Sequence, residues 1–96
     1  MLQIPIATAQ LCLEALDLAV TATPLTVEPL RSDTLAGGRL VHGALAAVLT
    51  TVDADRNGLK SGDAREAARQ TRDKLQQQAD QRLAQLSATP VPPAMG

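Results

Sequence analysis

Arg39-Leu40-Val41-His42-Gly43-Ala44-Leu45-Ala46-Ala47-Val48-Leu49-Thr50-Thr51-Val52 is the most apolar helical stretch of the chain. Leu40, Val41, Ala44, Leu45, Ala47, Val48, Leu49 and Val52 fall on nearly every side of a helix wheel. A helix apolar nearly all round belongs in the middle of a bundle or in an interface. Gly43 and Ala47, one turn apart, leave room for another helix to come close. The spacing predicts a helix over 39–52 and sets the fold class as all-α. His42 within it reads more simply as a satisfied or half-exposed side chain than as a ligand.

Towards the N-terminus a second helix is predicted over 7–22. Gln10, Glu14, Asp17 and Thr21 recur at intervals of four, three and four, which places them on one stripe. Leu11, Leu13, Ala15, Leu16, Leu18, Ala19 and Val20 fill the rest of the surface, as in a helix covered on most sides. Thr8 is a candidate N-cap, and Pro24 stops the helix by Thr23. Glu14 and Asp17 lie three apart without a His or third carboxylate, so a solvated face is the simpler reading than a metal or acid–base pair. Residues 23–38 read as an extended Pro-containing segment. Pro24 and Pro29 restrict their predecessors, Leu25-Thr26-Val27-Glu28 alternates, and Gly37-Gly38 resembles a turn.

Beyond the central stretch a third helix is predicted over 61–88, with Ser61 as N-cap and Asp63 in the first turn. Ala64, Ala67, Thr71, Leu75, Ala79, Leu83 and Leu86 form a thin apolar stripe; much of the remainder is charged or glutamine, including Gln76, Gln77, Gln78, Gln81 and Gln85. So little apolar area predicts that the second half projects as an arm or lies along a partner. Thr89-Pro90 and Pro92-Pro93 end it. The organisation is one small helical domain, 1–88, with a Pro-rich C-terminal tail, 89–96.

Composition bounds what this fold can do. The chain has 96 residues and no Phe, Tyr or Trp. A domain of this size buries only about two-thirds of its unfolded surface. Without aromatics, each worth ~150–250 Å² of burial, its core is built from Leu, Val, Ile and Ala. The base-stacking platforms of single-strand nucleic-acid binders are also missing. Net charge is −1, with acids and bases interspersed, so no phosphate footprint is evident and no nucleic-acid partner is expected. Cys12 cannot form an internal disulfide and reads as a small buried apolar side chain. No Lys or Arg precedes Arg31, so no signal peptide is evident, and Glu14 and Asp17 break the first apolar run short of the ~18 uncharged residues of a span. A cytoplasmic chain, or one within a macromolecular assembly and without a membrane partner, is expected.

One segment proposes chemistry. In Asp53-Ala-Asp55-Arg-Asn57-Gly58-Leu-Lys60-Ser61-Gly62-Asp63, side-chain oxygens alternate and a glycine follows the third. This resembles the calcium loop of EF-hands, and more closely the bacterial dockerin repeat, whose loop ends in Asp at the start of an alanine- and arginine-bearing helix like Ser61–Arg69. The resemblance implies a calcium cofactor, with Asp53, Asp55 and Asn57 as the first ligands, Gly58 at the sharp turn and Asp63 as the closing ligand. Position twelve counted from Asp53 is Ala64, and position eight is Lys60, so the register is restored only with one residue deleted after Gly58. Without a metal, the same residues read as a polar turn at Asn57-Gly58 followed by the Ser61 cap.

No nucleophile–base pair, metal cluster or phosphate loop is visible, so a non-enzymatic protein is expected. The leading reading is a structural or interaction subunit of a larger assembly, homo- or hetero-oligomeric, that completes its core against protein. The alternative is a calcium-binding EF-hand- or dockerin-like helix–loop–helix module.

Overall fold

Alanine, leucine, glutamine and arginine, the strong helix formers, dominate three stretches of the chain. The computed structural model describes residues 2–88; the expected tail, 89–96, falls outside them. It holds three α-helices: α1, Gln3–Ala22; α2, Glu28–Arg56; and α3, Gly62–Ala88. A short 3₁₀ turn, Thr23–Leu25, follows α1, and there is no strand among the described residues.

Cross-helix pairs give the topology. Asp17 of α1 meets Arg82 of α3, and Gln10 lies level with Thr71, so α1 and α3 run parallel. His42 pairs with Asp80 and Asp53 with Arg72, in descending order, so α2 is antiparallel to both. The chain runs up, down and up.

The expected extended segment over 23–38 is instead mostly helix. Pro29 sits in the first turn of α2, where the missing N–H breaks no intrahelical bond. Val27, extended at ψ 151°, turns the chain into it. Gly37 and Gly38 lie inside α2, and no described glycine has a positive φ. Gly38 serves packing rather than turning. A Cβ built there would lie 2.2 Å from Leu86 Cδ2, with Leu16 Cδ2 also close. The absent side chain lets three helices meet. Similarly, α1 begins at Gln3, ahead of the expected Thr8 cap. Pro5 falls in the first turn, which tolerates it, and Thr8 Oγ1 donates back to the Ile4 carbonyl at 2.9 Å. The Ser61 cap forms as expected: Ser61 Oγ accepts from the Ala64 N–H at 3.2 Å.

Ala9, Leu16, Leu45, Leu49, Val52, Leu75 and Ala79 form the core, with Leu2, Ile6, Cys12, Leu13, Val41 and Val48 packed against it. Cys12 is thus a half-buried packing residue. The second half of α3 does not project: Leu75, Ala79 and Leu86 are buried. On α3 the buried alanine near the start is Ala68, while Ala64 and Ala67 are exposed.

Two helices depart from the expected cover. Ile4, Leu11 and Leu18 on α1 are 64–79% exposed, and Leu40 on α2 is 76% exposed. Leu25, Val27 and Leu30 at the α1–α2 connection are also exposed. The exposed face of α3, by contrast, is polar.

Gly38→Val should destabilise the fold by about 1–3 kcal/mol through overpacking against Leu86. Gly37→Ala, whose Cβ meets nothing within 4 Å, should stabilise it by up to about 1 kcal/mol. Urea unfolding of the two variants, expected to shift midpoints in opposite directions, checks the assignment.

Candidate functional site

The segment that resembles a calcium loop takes a different local course. α2 continues through Arg56, so Asp53 and Asp55 lie in its last turn rather than in a loop. Asn57 is helical, at φ −64° and ψ −21°. The Gly58 and Leu59 N–H groups donate to the Asp55 and Arg56 carbonyls, each at 3.0 Å, closing a tight turn without positive φ. Asp63 belongs to the first turn of α3, where a carboxylate is favoured by the helix dipole.

Two of the groups that would face a cation, the Asp53 carboxylate and the Leu59 carbonyl, face arginines instead. Arg72 Nε donates to both carboxylate oxygens of Asp53 at 3.1 Å, and Arg56 Nη2 lies 3.7 Å away. An EF-hand also uses the backbone carbonyl of its seventh position, here Leu59. That carbonyl accepts from Arg65 Nη1 at 2.6 Å, and the Lys60 carbonyl accepts from the same nitrogen at 3.3 Å. Guanidinium groups thus hold the chain end of α2 and the connection to α3. Asp53 sits at the negative end of its helix dipole, a cost that Arg72 and Arg56 offset. Among the described residues, no three of His, Cys, Asp and Glu gather in a way that could hold a metal ion. Asp53, Asp55, Asn57 and Asp63 are therefore brought near one turn but not around one point.

A second polar cluster joins α2 to α3, and the sequence gives no local sign of it. His42 Nε2 lies 2.7 Å from Asp80 Oδ1; with its proton on Nε2, the imidazole donates. Gln76 Nε2 donates to the same oxygen at 2.9 Å. The His42 hydrogen bond, followed by that from Gln76, holds the Asp80 carboxyl below its ordinary value of 3.8. His42 is mostly enclosed while Asp80 is more than half exposed. Asp80 also lines a shallow surface depression with Arg72, Asp73, Gln76 and Gln77. The pair is an arrangement with acid–base character. Its partners are 38 residues apart in sequence, so no local pattern links them.

On the third face, Asp17 accepts from Arg82 across α1 and α3, so the carboxylate read as solvated is half of an interhelical pair. Glu14 is exposed, whereas Asp17 is half-exposed and tied to Arg82. On the outer face of α3, Arg69 bonds Glu66 and Asp73, and its guanidinium lowers the Glu66 pKa.

By length and composition, Gln3–Leu25 and Glu28–Arg56 each suffice to cross a bilayer, although the charge interruptions at Glu14 and Asp17 had argued against a span. A mostly buried core helix has the same composition, but only 11% and 22% of these two stretches is buried here; both are tied to charged α3 through Asp17–Arg82 and Asp53–Arg72.

Against known families, residues 1–80 match the family model described as formiminotransferase-cyclodeaminase. No curated protein matches the chain, and no solved structure does.

Calcium at millimolar concentration should produce neither binding heat nor a rise in melting temperature; a saturable heat lost in Asp53→Ala would overturn this assignment of the loop. Asp80→Ala should lower stability at neutral pH by less than ~1 kcal/mol, as befits an exposed partner. A depressed carboxyl stabilises the fold above its unfolded pKa, and that contribution is lost as pH falls through the lower folded value. The variant and parent should therefore begin to converge as pH falls below about 3.8 and meet only at lower pH, as thermal melts across pH 2–7 would show.

Proposed function

The chain belongs to the formiminotransferase-cyclodeaminase family, and from that premise we propose that it serves as a non-catalytic helical assembly subunit. One observation carries this reading: α1 and α2 hold their hydrophobic core on one side and present large aliphatic side chains to solvent on the other. A contiguous uncovered apolar surface marks a protein contact. The aliphatic-only core supports the same reading, because a small domain without aromatics gains stability by adding buried area from a neighbour.

The catalytic alternative has one supporting arrangement, the His42–Asp80 pair beside its shallow depression. A general acid–base unit of this kind fits a family whose name joins a group transfer to a deamination. Yet the depression is open, and among the described residues no group of three His, Cys, Asp or Glu side chains gathers as a metal site there. Against the calcium reading stands the engagement of the Asp53 carboxylate and the Leu59 carbonyl by arginines.

If assembly is the function, the melting temperature should climb with protein concentration, because association stabilises the folded form by mass action. Either activity named by the family, present in the purified chain and abolished by His42→Ala, would replace this reading with the catalytic one.

A further inference from the structure

The exposed side of α1 has an order that bears on its partner. Ile4, Leu11 and Leu18 recur every seven residues, and Thr8, Ala15 and Ala22 recur every seven between them. All six are exposed. Alternating intervals of four and three define a coiled-coil seam. It lies opposite the inward row of Ala9, Leu16 and Thr23, which are buried. In this seam one position is always large and the other always small.

Resting on the assembly reading above, we propose that this seam pairs with the same seam of a second copy, antiparallel, about a two-fold axis level with Leu13. Antiparallel pairing of two such helices sets one kind of seam position against the other. With the axis at Leu13, Ile4 faces Ala22 of the second copy, Leu11 faces Ala15, and Leu18 faces Thr8. Every layer then holds one large and one small side chain, so each knob meets a hole of constant size. A parallel pair would instead alternate Leu-on-Leu layers with Ala-on-Ala layers, crowding some and leaving others hollow. The two-fold form is isologous, as in most homodimers.

Charge agrees with a self-partner. The seam positions carry none, and the Asp17 carboxylate on another side of α1 is already engaged by Arg82, so pairing strips water from no seam ion. The exception is on the flank. Glu14, exposed and one residue from the axis, is brought near its own copy. A helix of 20 residues is about 30 Å long. One such contact supplies only part of the ~800 Å² per partner of a standard interface, so the dimer is a reversible one that responds to single substitutions.

The test is the mass of the full chain by light scattering after gel filtration, with circular dichroism to confirm folding. Ala15→Leu places leucine against leucine in two symmetry-related layers. It should raise the dimer dissociation constant more than about tenfold and leave helicity intact, since Ala15 is exposed and leucine is a good helix former. Leu11→Ala should also weaken the dimer. The swap Leu11→Ala with Ala15→Leu restores large against small and should recover association. Glu14→Gln should tighten it, whereas a charge partner on another protein would make that change weakening. An oligomer indifferent to Ala15→Leu, or a swap no better than its parts, overturns the seam while leaving the assembly reading standing. A wild-type chain that is monomeric at every concentration overturns both. A monomer that floats with vesicles of phosphatidylcholine and phosphatidylglycerol overturns them in favour of a bilayer covering the same face.

Discussion

The fold rests on the close contact of three aliphatic helices around Leu16, Leu45, Leu49, Leu75 and Ala79, made without any Phe, Tyr or Trp. Leucine and alanine fill narrow spaces, so the helices must approach closely. Gly38 permits this at one end of the bundle, where Leu86 occupies the space a side chain would need and Leu16 lies in contact range. Such a core has little bulk to spare. It satisfies one side of α1 and α2 and leaves the other side of each to something else. The polar exterior of α3 shows the contrast: a helix facing water on its outer side in this chain carries Arg, Lys, Asp and Gln there.

Electrostatics fixes the arrangement that packing alone leaves loose. Alanine-rich helices slide past one another at small cost, but each interface of α3 carries at least one cross-helix polar pair. Arg82 meets Asp17, Arg72 meets Asp53, and His42 meets Asp80. These pairs are partly exposed and individually weak. Their value is in register, because a slip of one turn would separate all of them together. The same logic explains the segment that resembles a calcium loop. Its Asp53 carboxylate and Leu59 carbonyl are engaged by Arg72 and Arg65, which bring positive charge to these two groups from within the chain.

Much of the architecture was legible in the sequence. The central apolar run, the Ser61 cap and the end of α1 before Pro24 are local signals, and local physics decided them. Residues 28–38 misled because Pro29 and the paired glycines ordinarily break helices. Their tolerance depends on position, since proline is harmless in a first turn and Gly38 answers to a side chain 48 positions away, Leu86. The contacts of Arg72 and Arg65 were hidden for a similar reason: the alternation of Asp53, Asp55 and Asn57 is visible locally, while the cation that engages Asp53 comes from the middle of α3. The outer seam of α1 was hidden by degeneracy. Rows beginning at Leu2 and at Ile4 both repeat every seven residues, and only the packed structure shows that the row through Ala9 and Leu16 turns inward.

Whether protein covers the remaining apolar side is best measured by sedimentation equilibrium of the unmodified chain over a wide concentration range. A weight-average mass that rises reversibly from 10.0 kDa towards a multiple of it is expected. A mass fixed at 10.0 kDa throughout, from a chain that still melts cooperatively, would contradict the claim that this core needs a neighbour.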